Sequence, residues 1–174
     1  MKRERSVCMG TIRGRVGGMI GGYSVECRVD ADGIFGRLGG SLIGADINLK
    51  RDPEGRFLEG RIGGSIIGKD LKVEVGENFA RGRLGGSVVG NDITLSCAER
   101  ITGRCGGGLV GFDINLSFDP DTGRLTGRLG GQISGKDVDF EVADALPVYG
   151  GIIAAVTYYF YRENRKRGSS SSNR

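Results

Sequence analysis

The chain contains no histidine and no tryptophan, and only three prolines. Without histidine it has no Ser-His-Asp or Cys-His nucleophilic machinery and no histidine-bearing metal site. Nor does any other set of residues bring together a nucleophile, a base and an oxyanion site, so a non-catalytic protein with no cofactor is expected. One positively charged face is also missing. The two ends, 2–5 and 162–174, take eight of the 25 basic residues and two of the 21 acidic ones, which leaves the body slightly acidic. That balance does not suit a nucleic-acid-binding surface. The first residues are charged, with no apolar run behind them, so they do not read as a secretory signal. A cytoplasmic, reducing setting is the expectation, and the four cysteines then need a role other than disulfides.

Glycine is abundant: 34 of 174 residues, against a usual share of roughly 7%. The glycines belong to a repeat, G-R-apolar-G-G-x-apolar-x-G-x-D-apolar-x-apolar, found six times, from Gly14, Gly36, Gly60, Gly82, Gly103 and Gly127. With the first glycine as position 0, the clearest copy is GRIGGSIIGKDLKV, residues 60–73. Fixed-period repetition in a short chain means one supersecondary unit used repeatedly.

Each unit reads as a β-hairpin. Positions −2, 2 and 6 are apolar on the first arm and 11 and 13 on the second, which is the period of a half-buried strand. A two-residue turn beginning at the glycine of position 8 sets position 6 against 11 and 4 against 13. Position 1 would then face 16, giving the pairs Arg15–Asp30, Arg37–Asp52 and Arg104–Asp119. The aspartates at position 10 (Asp46, Asp70, Asp92, Asp113, Asp137) read as turn caps in preference to a calcium ladder. Cys27, Cys97 and Cys105 stand at inward positions and read as buried free thiols. Six hairpins give a mainly β fold, a twelve-strand antiparallel meander closed into a barrel. The alternative is a β-solenoid, which would stack the repeat arginines in one column.

Residues 145–161, ALPVYGGIIAAVTYYFY, carry no charge. This stretch is short of the ~20 residues that span a bilayer, and it is apolar all round, as a wholly buried helix would be. A twelve-strand barrel has a radius of roughly 12 Å and cannot be filled by wall side chains alone. A helix over 146–161 is expected to thread the lumen, with the glycines at positions 0 and 4 thinning the wall around it. Residues 1–161 then form one domain, and 162–174 a basic tail without regular structure.

The run from Lys136 to Tyr161, KDVDFEVADALPVYGGIIAAVTYYFY, resembles the ending of the tubby-like C-terminal domains, a group that includes the LURP-one-related proteins and phospholipid scramblases. In that group a last alternating strand passes through an acidic turn into an apolar helix inside a twelve-strand barrel. The resemblance covers about the last 26 residues and implies a barrel module that interacts with membrane lipid. No site residue of the family is carried over. From the charge alone, Arg162, Arg165, Lys166 and Arg167 are the expected contacts to anionic membrane lipid. Two other functions are open at this point: a structural, self-assembling repeat scaffold, and a tail-anchored membrane protein.

Overall fold

The computed structural model describes residues 9–172. The charges at Lys2, Arg3 and Arg5, together with Cys8, Asn173 and Arg174, lie outside the described residues. Each repeat forms two strands: β1 (Gly10–Gly17) with β2 (Gly22–Val29), β3 (Gly33–Gly39) with β4 (Gly44–Arg51), and β5 (Phe57–Ile62) with β6 (Lys69–Val75). They are followed by β7 (Phe79–Gly85) with β8 (Gly90–Cys97), β9 (Ile101–Cys105) with β10 (Phe112–Asp119), and β11 (Arg124–Leu129) with β12 (Lys136–Ala143). Every strand pairs antiparallel with its chain neighbours, and β1 pairs with β12, so the meander closes into a twelve-strand barrel. The solenoid alternative is thereby excluded. Alternation places Leu58, Ile62, Leu71 and Val73 inside, and their counterparts in the other repeats follow.

The register within each hairpin differs from the expected one by six residues. Ile62 faces Lys69, Arg61 faces Asp70 and Gly60 faces Leu71, so position 1 lies opposite 10 rather than 16. Positions 4–7 form a loop in every repeat, and positions 3–8 in the third, fifth and sixth, instead of continuing the strands. The break comes at position 3, where Gly63 has φ +87° and its five counterparts lie between +81° and +98°, a left-handed conformation that glycine adopts readily. Position 4 lies in the loop, and a Cβ on Gly64 would have nothing within 4 Å. It therefore does not face the helix, contrary to the expectation. A Cβ on Gly60, at position 0, would strike the Asn48 carbonyl of the neighbouring strand. A glycine here permits close approach of the neighbouring strand.

Helix α1 (Pro147–Ser171) follows β12 and runs back through the lumen. Pro147 opens it, where its missing N–H costs no hydrogen bond. Val148 to Tyr158, with Phe160 and Tyr161, are buried against strands on several sides of the wall. Room for the helix comes from the helix itself. A Cβ on Gly150 would sit 2.7 Å from Leu125 Cδ2, and one on Gly151 would sit 3.0 Å from Ile101 Cγ2. The helix continues ten residues past Tyr161, through a stretch expected to lack regular structure. There the Ser169 and Ser170 hydroxyls donate back to the Arg165 and Lys166 carbonyls, each at 3.1 Å.

Cys27 and Cys105 are buried free thiols, and burial pushes both up to about 12. They are inert fillers of the core. Cys97 is half-buried, and burial raises it as well.

Candidate functional rim

All six hairpin loops gather at one end of the barrel, because each joins the two strands of one repeat in a consecutive meander. The arginine at position 1 organises each loop. Arg61 donates to Asp70 Oδ1 (2.7 Å) and to the carbonyls of Gly64 (3.1 Å) and Ser65 (3.0 Å). Arg37, Arg83, Arg104 and Arg128 do the same with Asp46, Asp92, Asp113 and Asp137, each at 2.6 Å. In the first repeat Ser24 replaces the aspartate and accepts from Arg15 at 2.7 Å. The planar guanidinium suits this task, since it presents several donors in a fixed plane.

The two sets of aspartates therefore exchange the roles expected of them. Those at position 10 are arginine partners. Those at position 16 shape the turns at the opposite end of the barrel. Asp52 accepts from the Phe57 N–H at 2.8 Å, and Asp119 accepts from the Thr122 hydroxyl and the Asp121 N–H, both at 2.9 Å. These bonds hold both carboxyls below the ordinary value. Asp30 accepts from the Asp32 N–H at 2.9 Å and pairs with Arg28 at 3.0 Å, not with Arg15.

The stapled loops display apolar side chains. At position 6, Ile20, Leu42, Ile66, Val88, Leu109 and Ile133 are between 91% and 104% exposed. They point to solvent, not inward as the alternation predicts, because position 6 lies in the loop. Met19, Ile43, Ile67, Val89 and Val110 beside them are more than half exposed. Single exposed apolar residues are ordinary on protein surfaces, whereas here every one of the six loops of one rim carries one at the same position.

α1 leaves the lumen at this same rim. Arg162 donates to the Val110 carbonyl of the β9–β10 loop at 3.3 Å, and the Tyr158 hydroxyl donates to the Ser134 carbonyl of the β11–β12 loop at 3.2 Å. Arg162, Arg165, Lys166 and Arg167 thus surround the outgoing helix at the rim, Arg167 on one side and the other three on the opposite side. Sequence reasoning gave no place here to Arg104 and Lys136, which lie on the wall beside them. Their signal was available only through the register, which sets positions 1 and 9 next to the loop.

Around the outgoing helix the rim has two unlike sectors. One is a groove of about 590 Å³ lined by Leu42, Ile43, Ile66, Ile67 and Phe160, with Arg167 at its edge. On the other side of the helix is a cavity of about 390 Å³ walled by Arg104, Lys136, Arg162, Arg165 and Lys166 with Asp113.

No known family, no curated protein and no solved structure matches the chain. The fold and the rim define a twelve-strand barrel plugged by its own C-terminal helix.

Proposed function

We propose that the protein is a non-catalytic barrel module of the tubby-like or scramblase-like kind that docks on an anionic membrane through its loop rim. One observation carries this reading: the cationic end of α1 emerges within a ring of exposed apolar loop tips. The two features suit the two layers of a bilayer surface, the cations the anionic headgroups and the tips the acyl boundary beneath them. The outward faces of the strands carry charge at mid-strand, for example Arg13, Glu26, Lys72 and Asp139. A barrel that spans a bilayer wears an apolar band there instead, so the geometry favours docking by one end. Among the described residues no helix is long and apolar enough to cross a membrane. An anchor made from α1 would also require extracting its buried face from the lumen. The scaffold reading draws on the same apolar ring, which could meet the ring of a second copy.

Co-sedimentation with phosphatidylserine vesicles tests the proposal. Binding should weaken steeply with added salt and fall sharply when Arg162, Arg165, Lys166 and Arg167 are all replaced by Ser. A parent protein that ignores these vesicles, or a quadruple variant that binds as the parent does, refutes the docking reading. A discrete dimer in sedimentation without lipid would favour self-association of the rings.

A further inference from the structure

We propose that the cationic sector of the rim is a binding site for a phosphate monoester group. Its lipid source rests on the docking reading above, but its chemistry does not. Arg104 is already engaged by Asp113 at 2.6 Å, and Lys166 by Glu163 at 3.1 Å. Lys136, Arg162 and Arg165 have no carboxylate partner among the described residues, and all three line the cavity. Aromatic rings hold them there without neutralising them. Lys136 Nζ lies 5.4 Å from the centre of the Tyr161 ring, and Arg165 Cζ lies 5.8 Å from it. Arg162 Cζ lies 5.4 Å from the Phe112 ring and 5.7 Å from the Tyr158 ring. Such cation–π contacts fix a guanidinium or ammonium while leaving its outward donors free.

Three uncompensated cations converging on one small cavity fit a group with two negative charges and several acceptor oxygens. A phosphate monoester has both, and guanidinium forks match its geometry. A single carboxylate would leave two of the three cations unanswered. Gly131, where a Cβ would meet nothing within 4 Å, forms part of the wall and leaves that side of the cavity open. Arg167, on the opposite side of the helix, borders the apolar groove and does not line this cavity. The cations therefore divide into a site and a bystander, which a test can exploit.

The intact chain is titrated with phosphatidylcholine vesicles containing either phosphatidic acid or phosphatidylserine at matched surface charge. Phosphatidic acid vesicles should bind about tenfold more tightly, a modest difference for added charge-assisted hydrogen bonds. Lys136→Gln should erase that preference, and Arg165→Gln, on a different element, should do the same. Arg167→Gln removes an equal charge and should weaken both vesicle types alike, with the preference kept. Inorganic phosphate, followed by the intrinsic tyrosine fluorescence, to which Tyr158 and Tyr161 of the cavity wall contribute, supplies the soluble arm. A saturable response that Lys136→Gln abolishes supports the site even if no vesicle binds, and it then assigns the ligand to a soluble phosphate ester. Equal binding of the two vesicle types with no response to inorganic phosphate overturns the site and leaves rim docking standing. A preference for phosphatidic acid that survives both Lys136→Gln and Arg165→Gln also overturns it.

Discussion

Arg37 meets Asp46 across 2.6 Å, directly opposite it on the paired strands β3 and β4, while Asp52 turns away to accept the Phe57 N–H. The arrangement predicts which pair is energetically coupled. A double-mutant cycle on Arg37→Ala and Asp46→Ala should give a coupling of about 0.3–1 kcal/mol, in the range of exposed pairs. The same cycle on Arg37 and Asp52 should give none. Arg37→Ala alone should cost more than Asp46→Ala, because the arginine also holds the Gly40 carbonyl. Urea midpoints of the singles and doubles measure all of this, and coupling to Asp52 in place of Asp46 would reverse the register.

The two adjacent glycines of a loop should tolerate substitution unequally. Gly63 has φ +87°, whereas Gly64 has open space where a Cβ would go. Gly63→Ala should destabilise by roughly 1–2 kcal/mol, the cost of forcing an L-residue into the left-handed region. Gly64→Ala should stay within about 0.5 kcal/mol of the parent. Equal urea midpoints for the two variants would contradict the loop conformation.

Much of the architecture was legible in the repeat. Six copies gave six hairpins, and an uncharged stretch gave the plug. The register was not legible, for a physical reason. Pairing position 1 with 10 or with 16 leaves the same residues inside, because a shift of six preserves strand parity. Alternation therefore cannot choose between the two. Ile62 and Ile66 have the same parity, so Ile66 reads as one more inward residue although it tops a loop. The discriminating signal was the glycine at position 3 together with the arginine and aspartate nine residues apart. Room for the plug was sought in the wall, while the small residues providing it, Gly150 and Gly151, lay in the helix sequence. Of the rim, the cations on α1 were visible as a charge run. Lys136 and Arg104 join them only once the barrel closes.

The plug makes its own prediction. Gly150→Leu would drive a side chain into Leu125 and Val142, and overpacking of this kind costs roughly 1–3 kcal/mol or more. Gly168→Leu, where a Cβ would meet nothing within 4 Å, should be neutral or slightly stabilising, since leucine is the better helix former. Deleting 146–174 should leave an apolar lumen open to water and an aggregated chain. A soluble, monomeric truncation with the parent's thermal midpoint would show that the helix is dispensable to the barrel.

Acid should act through the turns at the end opposite the rim. Hydrogen bonds from Thr122 and Asp121 hold the Asp119 carboxyl below 3.8, its ordinary value, and the Phe57 N–H does the same for Asp52. A carboxylate with a lowered folded value stabilises fully above its unfolded value, and that contribution disappears as pH falls through the folded one. Asp119→Asn should therefore be less stable than the parent near about pH 6, with the gap closing as pH falls below the ordinary aspartate value. A gap that is constant across that window, or that widens in acid, would assign the lowering to some other group.

The loop tips should be dispensable for folding and needed for docking. Ile66, at the top of the loop, is 93% exposed, and Ile62, four residues earlier at the end of β5, is 0% exposed. Ile62→Ser empties a core position and buries a hydroxyl, at a cost of about 3 kcal/mol or more. Replacing Leu42, Ile66 and Ile133 together by Ser should leave the urea midpoint within about 0.5 kcal/mol of the parent, because none of the three loses a buried contact. The same triple variant should lose at least about tenfold in vesicle affinity, since even partial burial of three such side chains in the acyl boundary is worth more than 1.4 kcal/mol. The loss should persist in high salt, where the contribution of Arg162, Arg165, Lys166 and Arg167 is screened. The two halves of the rim are thereby separable: charge governs the salt-sensitive part of binding and the tips the remainder. A triple variant that binds vesicles as the parent does would confine docking to the helix end and leave the six exposed tips to another partner.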